Sequence, residues 1–579
     1  MRPIHKGHSL LQCLAVWLNS EYSALTSAVR SVTDRMKIGV IVEGLKLSRW
    51  QAEALRALPV DAEFVILNCT NSRSPRRPFR HAGYYALRAI SLSSRITRRI
   101  PLPPQLQVAD KIDFECQVDG SWQSLPTALL NRIRTDDVDV VVKFGMGLLR
   151  VPSDFRIPIL SYHHGDPRAF RGRPAGFYEL LEGRSTVGQM IQRLSNRLDA
   201  GEVVAYLETK AYPYSWRRTM SEAYRCSPLL LPPAVQNAMA GVTEPIVPNG
   251  RNYRLPSNAL AIRFAAGRFA ALVKRIAYGL FVEKCWQIAE APIPTEGADH
   301  LIHRFPPTDR WHVVSTPRRY RFLADPFYGE HGEILAEGFR RSGRGEIVRL
   351  ANGGLETVSE AAGHFSYPAT LHLGGTTFVL PEMSEWSLPH LYRLRDGRME
   401  DLGELELGNA RRLIDPTLYF SNGTFFLFAN AADESLAVLR LWFSDAPLGP
   451  WREHPCSPVR ISPAGSRMAG SIMSLGGKTI RLGQDLRGQY GNGVLFFEIT
   501  DITRHSYSEQ QLGELQFADS RGPHTINLGE GSVVFDFYRQ SFSPLAGVRR
   551  LTSRLSQTNR LPPAAFADRL ERACDGANP

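Results

Sequence analysis

The stretch IDPTLYFSNGTFFLFAN, residues 414–430, decides the fold of the larger part of the chain. It starts with an acidic residue before a proline and continues as a strand-like apolar run. It then turns at a glycine and returns as a second apolar run. Apolar runs rich in aromatic and β-branched residues around a Gly-containing turn are typical of paired strands.

Four other segments share this layout of a small or acidic start, a strand, a glycine turn and an apolar strand. The five segments start at Ala324, Ser366, Ile414, Met468 and Gly522. By subtraction of these numbers the starts lie 42, 48, 54 and 54 residues apart. Repeats of this period are the size of propeller blades. The sequence therefore predicts an all-β five-bladed propeller over residues 310–550.

The chain before residue 250 has a different texture, in which buried apolar runs alternate with helical patterns. The strand-like runs are KIGVIVEG, AEFVILNC, VDVVVKFG and IPILSYHHG. This alternation indicates a parallel α/β sheet of Rossmann-like type over residues 36–250. Ligands of such sheets bind beyond the carboxyl ends of the strands. His163 and His164 follow the run IPILSY, so we expect them at that edge.

Residues 36–206 resemble the catalytic domain of the folate-dependent formyltransferases. His164 matches the family's histidine, Arg171-Gly172 match its Arg-Gly pair, and RLDAGEVV places Asp199 on its aspartate. The resemblance implies transfer of a formyl group from N10-formyltetrahydrofolate to an amine, with His164 and Asp199 as a catalytic pair and Arg171 and Gly172 at the substrate. It also implies a folate-lining loop formed by Phe144, Gly145, Met146, Gly147 and Leu148.

Two features depart from the family's pattern. The family's asparagine falls on Tyr162, and the loop from His164 to Arg171 is one residue shorter. We expect either the Tyr162 hydroxyl or His163 to replace the missing asparagine as hydrogen-bond donor. A folate-fold scaffold without catalysis, or a changed reaction, stays an alternative.

The segments ADPF, SYP, DPT, GPWREHP, RMAG and GQD follow one another within residues 310–545. Through these segments the region resembles the N-terminal domain of plant glucosamine inositolphosphorylceramide transferases and, more distantly, the five-bladed glycosidases. The glycosidases direct carboxylates from several blades toward the axis. The resemblance implies a carbohydrate site formed by Asp325, Tyr367, Glu382, Asp415, Arg467, Asp485 and His524, with Glu337 ending a neighbouring strand. No glutamate of the fourth repeat completes the glycosidase set. We therefore expect sugar binding rather than hydrolysis.

Charge and cysteine usage restrict the partners. The formal net charge is +12, and eight arginines but no acid lie between Arg73 and Arg99. This segment is either a solvated basic face or a site for a phosphate-bearing partner such as a nucleotide-sugar or a lipid headgroup. No nucleic-acid-binding motif is present, so no nucleic-acid partner is expected. The seven cysteines are scattered without CxxC spacing, which predicts no metal site and a reducing, cytoplasmic location.

The remaining segments connect or flank the two predicted domains. We expect a leader over residues 1–35, added by an upstream start codon, a helical linker over 251–309 and a tail over 551–579. Residues 256–284 read as one long helix, which we expect to pack between the domains, with contact to a membrane surface as the alternative. No apolar run reaches the ~20 residues that span a bilayer.

These observations give one leading functional hypothesis and two alternatives. The leading hypothesis is a formyltransferase acting on an amino-sugar or nucleotide-sugar, with carbohydrate held by the propeller. The first alternative is a glycan-processing or glycan-binding protein whose activity lies in the propeller. The second is a non-catalytic scaffold.

Overall fold

The computed structural model describes residues 35–558, apart from a set of short gaps. The gaps are 73–78, 93, 294–300, 303, 330, 352–353, 360–362, 409–410 and 519. Almost all of the predicted leader and most of the predicted tail therefore lie outside the described residues. The chain is multidomain and mostly β.

A seven-stranded mixed sheet forms the core of the N-terminal part. Its order is β13-β12-β10-β8-β1-β3-β5, and the last five of these strands are parallel while β12 and β13 are antiparallel additions. The strands are β1 Lys37–Val42, β3 Glu63–Cys69, β5 Asp110–Phe114, β8 Val140–Lys143, β10 Ile159–His164, β12 Thr186–Arg193 and β13 Glu202–Lys210. The apolar runs predicted as strands thus form a buried parallel sheet, because both of its faces are covered.

Short strands and helices surround this sheet. The small sheets contain β2 Lys46–Ser48 with β4 Arg99–Pro101, β6 Gln117–Asp119 with β7 Trp122–Ser124 and β9 Leu148–Arg150, and β11 Phe170–Gly172 with β14 Arg251–Tyr253. The helices are α1 Arg49–Arg56, α2 Ala82–Leu92, α3 Pro104–Gln107, α4 Thr127–Thr135, α5 Phe177–Leu181, α6 Trp216–Cys226 and α7 Leu231–Ala240. Ser48 begins α1 with a capping box to Gln51.

Five separate antiparallel sheets form the rest of the chain. The first contains β17 Tyr320–Tyr328, β18 Ile334–Arg340, β19 Gly345–Ala351 and β20 Gly354–Thr357. The second contains β21 Ser366–Leu373, β22 Thr376–Glu382, β23 His390–Arg395 and β24 Arg398–Glu404. The third contains β25 Leu413–Ser421, β26 Thr424–Ala431, β27 Val438–Ser444, β28 Arg452–Glu453 and β29 Arg460–Ile461. The fourth contains β30 Ala464–Met468, β31 Met473–Leu475, β32 Lys478–Asp485, β33 Val494–Ile502 and β34 Tyr507–Leu515.

The fifth sheet combines strands from both ends of this region. Its strands are β16 His312–Val313, β15 Val282–Pro292, β36 Ser532–Phe542 and β35 Ile526–Leu528, in that order. Strand β15 pairs with β36 over eleven residues of each strand, from Val282 opposite Phe542 to Pro292 opposite Ser532. The predicted helical linker over 251–309 is therefore wrong for this stretch, which a strand partner far along the chain holds extended.

Hydrogen bonds link the first strands of successive sheets. The bonded pairs are Tyr328 with Thr370, Tyr367 with Thr417, Asp415 with Arg467, Ala469 with Ile526, and Asn527 with Pro326. These contacts connect each sheet to the next in chain order and connect the fifth sheet to the first. The strand pairing of the described residues leaves the five sheets separate, so the five-bladed propeller remains a prediction.

The long predicted helix is present as α8, Asn258–Phe281, and it runs directly into β15. Its first turns contact α2, where the Asn258 side chain accepts a hydrogen bond from the Gly83 amide, 3.0 Å. Helix α9, Ala546–Thr558, packs against its other end. Within α8 only Ala261 and Phe264 are buried, so interdomain packing accounts for little of its surface. No helix of the described residues is long and apolar enough to cross a membrane.

Candidate functional site

The end of strand β10 directs its two histidines to opposite sides of the N-terminal sheet. Successive side chains of a strand alternate between faces. The Nε2 atom of His164 lies 2.9 Å from the Ser227 hydroxyl, which itself donates to the Gln189 side chain. His163 instead places Nδ1 at 3.6 Å from an Asp199 oxygen and Nε2 at 3.0 Å from the Phe170 carbonyl.

This arrangement corrects the predicted pairing of His164 with Asp199. Among the described contacts Asp199 faces His163, and its carboxylate also accepts from the Gly172 amide at 3.0 Å. The two residues of the predicted pair lie on opposite faces of the sheet because His163 and His164 are strand neighbours. A transition state cannot be shared across a sheet, so the geometry offers no joint acid–base role to this pair.

His164 sits among aromatic rings. Its ring centroid lies 5.4 Å from that of Trp50 and 4.9 Å from that of Tyr224. Burial, together with the nearby His163, lowers the pKa of His164 to about 3. The imidazole is therefore neutral at neutral pH and donates to the Ser227 hydroxyl, since that hydroxyl uses its own proton on Gln189.

The remaining residues predicted for the formyltransferase site have structural partners. The Tyr162 hydroxyl donates to the Ser227 carbonyl, 3.1 Å, and Arg171 donates to the Gly250 carbonyl, 2.7 Å. Gly172 has a φ of +88°, and a Cβ there would lie 2.1 Å from the Tyr253 carbonyl oxygen, so only glycine fits. In the loop from Phe144 to Leu148, the amides of Met146 and Gly147 donate to the side chains of Glu43 and Gln123. Folate binding by Phe144, Gly145, Met146, Gly147 and Leu148 stays a prediction.

A cavity of about 1040 Å³ opens beside His164. Five arginines contribute to its lining, and no carboxylate lies among the lining residues. The arginines are Arg88, Arg95, Arg98, Arg99 and Arg217; Trp50, Tyr85, Tyr224 and His164 add aromatic rings. The basic segment between Arg73 and Arg99 thus contributes four of the five arginines that line this cavity. A strongly cationic wall with aromatic faces suits an anionic ligand that carries a ring.

The first strands of three successive β-sheets share an unusual backbone feature. Asp325, Tyr367 and Asp415 have φ values of +50°, +44° and +46°, and each precedes a proline at a shift in strand register. Non-glycine residues rarely occupy this region and do so where surrounding structure holds them. The bulges turn these three side chains in a common direction, so Asp325, Tyr367 and Asp415 occupy equivalent positions in their sheets.

A buried histidine joins the first and fifth sheets. His524 places Nε2 at 3.0 Å from an Asp325 oxygen and Nδ1 at 2.6 Å from an Asp536 oxygen. Burial alone would lower the pKa of His524, but the carboxylates of Asp536 and Asp325 outweigh it and raise the pKa to about 10. Burial would likewise raise the pKa of Asp325, yet the imidazolium and the Thr525 hydroxyl bring it below its usual value. The group is a carboxylate–imidazolium–carboxylate clamp.

This clamp also has the composition of a metal site. One ligand atom each from Asp325, His524 and Asp536 lies within 4.8 Å of the others. Metal ligation requires an unprotonated ring nitrogen. Both ring nitrogens face carboxylates, so a metal ion here would have to replace a proton of His524.

A second charged group joins the third and fourth sheets. Arg467 binds Asp415 through two nitrogens, with N–O distances of 2.5 and 3.1 Å, and a Gln484 nitrogen lies 2.7 Å from the same carboxylate. Glu382 accepts from the Asp415 amide at 3.2 Å and lies 3.6 Å from Arg467. The Arg467 guanidinium lies 5.3 Å from the centre of the Tyr490 ring. Asp415 is therefore already paired, while burial, with Glu382 nearby, raises its pKa well above the usual value despite Arg467.

Glu337 is a further buried acid of this region. It lies on β18 opposite Ala324, and His364 Nε2 is 3.8 Å from its carboxylate. Burial, with Asp325 and Glu382 nearby, raises the pKa of Glu337 well above its usual value. The protonated form of Glu337 is therefore favoured.

The structure brings together most of the residues predicted for the carbohydrate site. Asp325 and His524 meet directly, as do Glu382, Asp415 and Arg467. The Tyr367 hydroxyl accepts from the Gly470 amide within the same region. Asp485 stands apart, because Arg487 and Asn492 bind its carboxylate. We name the set Asp325, Glu337, Glu382, Asp415, Arg467, His524 and Asp536 the central cluster.

Sequence reasoning missed three members of this region. Asp536 ends its repeat in VFDFY where Glu337 ends the first in LAEGF, so alignment of the second strands would have found it. Tyr490 lies in the β32–β33 loop, and its ring centroid is 5.1 Å from that of His524. Trp286 comes from β15 and lies 4.2 Å from His524 by ring centroids. No local sequence pattern predicts that Tyr490 or Trp286 lies in this region.

Comparison with known proteins relates one part of the chain to a transferase family. Residues 353–534 match the family described as "Glucosamine inositolphosphorylceramide transferase 1, N-terminal". The protein of that name from Oryza sativa subsp. japonica is 31% identical over 205 residues, covering 32% of this chain and 27% of the relative. That from Arabidopsis thaliana is 25% identical over 245 residues, covering 39% and 32%. The chain thus spans about a third or less of the relatives' length. The resemblance to these N-terminal domains is confirmed.

Two solved structures are similar at a much lower level. A phosphoribosylglycinamide formyltransferase from Anaplasma phagocytophilum has 14% identity and a TM-score of 0.24, covering 35% of this chain and 89% of its own. A family 117 glycoside hydrolase from Zobellia galactanivorans has 14% identity and a TM-score of 0.27, covering 37% and 83%. Similarities this weak support no functional conclusion.

The predicted formyltransferase activity is wrong. The matching relatives are named glucosamine inositolphosphorylceramide transferases, which are not formyltransferases.

Proposed function

We propose that the five β-sheets form a five-bladed propeller whose central cluster binds a sugar. The observation that carries this proposal is the convergence of paired carboxylates, a further buried glutamate, an arginine and two aromatic rings from five sheets. Sugar hydroxyls both donate and accept hydrogen bonds, so they suit a site that offers fixed carboxylates beside Arg467. Tyr490 supplies an aromatic face at the exposed side, where 38% of its surface is accessible.

Binding is favoured over hydrolysis by the state of the acids. Glycoside hydrolysis needs one acid to donate a proton and a second carboxylate free to act as base or nucleophile. The raised pKa of Glu337 suits it to donate a proton, but His524 pairs with Asp325 and Arg467 pairs with Asp415. The fourth sheet contributes Arg467 and Gln484 to the cluster, in agreement with the expectation that no glutamate of that repeat completes the glycosidase set.

The proposed sugar is part of a glycolipid or its precursor. The relatives' name joins glucosamine with a phosphorylated ceramide, and the matched region covers the second to fourth sheets and β35 of the fifth. We therefore propose a role in assembling or recognising a lipid-linked glycan, with this domain holding the sugar.

A glycan array followed by titration calorimetry tests the proposal. Wild-type protein should bind a subset of amino-sugar or inositol-linked glycans. Glu382→Gln and Tyr490→Ala should weaken that binding at least tenfold, and Asp396→Asn should not. Asp396 is a matched control because it is an exposed aspartate of the same region with φ +49°, which asparagine tolerates. Absence of binding by wild-type protein, or equal loss in the control, would end the proposal. Release of reducing sugar would favour hydrolysis.

The arginine-lined cavity supports a second binding function for the N-terminal part. Five guanidiniums without a lining carboxylate favour a phosphate-bearing ligand, and the aromatic rings favour one that carries a sugar or base. A nucleotide-sugar combines both features. Titration with uridine diphosphate and with pyrophosphate should give binding that Arg95→Ala/Arg98→Ala weakens at least tenfold, while Arg134→Ala, at a surface ion pair with Asp154, leaves it intact. Failure of both probes would leave the cavity without this role.

A further inference from the structure

Helix α8 leaves a long apolar stripe uncovered. Ile262, Phe269, Val273, Ile276 and Leu280 follow one another at spacings of seven, four, three and four residues. Such spacing places side chains on one face of a helix. Their exposed fractions run from 46% to 70%, whereas an amphipathic helix normally buries its apolar face.

The end of the chain extends the same surface. Phe542 stacks on Phe281 with ring centroids 6.0 Å apart, and helix α9 packs along α8. The exposed apolar residues added here are Phe542, Leu545, Val548 and Leu551. Contiguous exposed apolar surface of this kind marks an interaction site. We name the stripe on α8 together with these four residues the α8 face.

Basic residues predominate around this face. Helices α8 and α9 contain no aspartate or glutamate, although Arg549 of α9 pairs with Glu283. At ~100° per residue, Arg263 and Lys274 flank the stripe on one side. On the other side the guanidiniums of Arg268 and Arg275 lie over the rings of Phe264 and Tyr214. Long basic side chains at the edge of an apolar stripe can reach lipid phosphates while the stripe enters the acyl region.

We propose that the α8 face binds the surface of an anionic membrane, with α8 lying in the plane of the headgroups. A second copy of the chain fits less well, because a symmetric contact would bring the cations of two α8 faces together without acids to pair them. The inference is independent of sugar binding, although a membrane-bound protein would meet a lipid-linked sugar directly.

Vesicle co-sedimentation of the full chain tests this proposal. Wild-type protein should bind vesicles of 30% phosphatidylserine in phosphatidylcholine. Its affinity for vesicles of pure phosphatidylcholine should be at least tenfold lower. Its affinity for the phosphatidylserine vesicles should fall as the salt concentration rises. The variant Ile262→Ser/Phe269→Ser/Ile276→Ser should bind at least tenfold more weakly. Val60→Ser/Val108→Ser/Val118→Ser is the matched control, since these valines are equally exposed elsewhere.

A charge variant and the oligomeric state complete the test. Arg263→Gln/Lys274→Gln should weaken binding to the phosphatidylserine vesicles and leave circular dichroism unchanged. Vesicle binding that is absent in wild type, or equal in both serine variants, overturns the proposal. A wild-type dimer that the α8 variant converts to monomer, without vesicle binding, would assign the face to a second copy. Sugar binding measured in parallel separates this failure from failure of the proposed function.

Discussion

His164 is half-buried and His524 is buried, each near a strand end, and their surroundings give them different charge states. Aromatic rings and a serine hydroxyl surround His164, and its pKa falls to about 3. Two carboxylates hold His524, and its pKa rises to about 10. Burial opposes the charged form at both positions, so the fixed charges nearby decide the outcome.

The comparison also bears on mechanism. A histidine that moves protons in catalysis needs a pKa near the working pH. His164 is far below that range and His524 far above it, so each keeps one protonation state at neutral pH. The N-terminal site presents a neutral donor and the central cluster a fixed cation, which suits binding more than proton transfer.

The largest expected effect on stability comes from removing one carboxylate of the clamp, that of Asp536. Asp536→Asn leaves His524 with one carboxylate and weakens three backbone hydrogen bonds, from the amides of Asp325, His524 and Thr525. Breaking a buried ion pair costs ~3–5 kcal/mol. Urea denaturation should show a loss of this order in the free energy of unfolding, against less than ~0.5 kcal/mol for exposed Asp396→Asn. A loss below ~1 kcal/mol would mean that the clamp contributes little net stability.

Alkaline pH should loosen the same clamp more gradually. The folded pKa of His524, about 10, exceeds the unfolded value of ~6.5, so its stabilisation is full below ~6.5 and is lost as pH rises through about 10. The difference in urea midpoint between wild type and His524→Gln should therefore shrink from pH 7 to pH 10.5. A difference that stays constant over this range would show that His524 does not carry the proton.

Acid should act on His164 with the opposite sign. Its folded pKa of about 3 lies below the unfolded value, so neutral His164 stabilises the fold above ~6.5 and this contribution is lost as pH falls. Between pH 6.5 and 5 wild type should lose roughly 1–2 kcal/mol that His164→Gln keeps. Equal acid sensitivity of the two proteins, measured by their urea midpoints, would contradict a neutral His164.

The smallest expected effect concerns the partner of His164. Ser227→Ala removes a hydroxyl that joins His164 to Gln189 and leaves both buried groups without that bond. A lost buried hydrogen bond costs ~1–2 kcal/mol. Thermal unfolding should detect this loss, while Ser227→Thr should restore most of it. A neutral alanine variant would mean that water or another group replaces the hydroxyl.

The sequence predicts those features that local signals specify. Each repeat holds its own acidic start, glycine turn and paired strands, so the hairpins and the positions of Asp325 and Asp415 are readable from short segments. Strand β15 is not, because its partner β36 lies far along the chain. The partner of Asp199 depends on which of two adjacent histidines faces its loop, and the exposure of α8 depends on which other elements pack against it. Both features are set by tertiary packing, so no local sequence pattern predicts them.

The pairing of β15 with β36 has a consequence for biosynthesis. Ile288 lies opposite Asp536, and by subtraction 248 residues separate them. At ~5–20 residues per second, a ribosome needs roughly 12–50 seconds to make the chain between them. Throughout that interval the nascent β15 has an unsatisfied edge, open to the wrong strand or to a chaperone. Translation rate and chaperone supply should therefore govern the yield of this protein more than its final stability does.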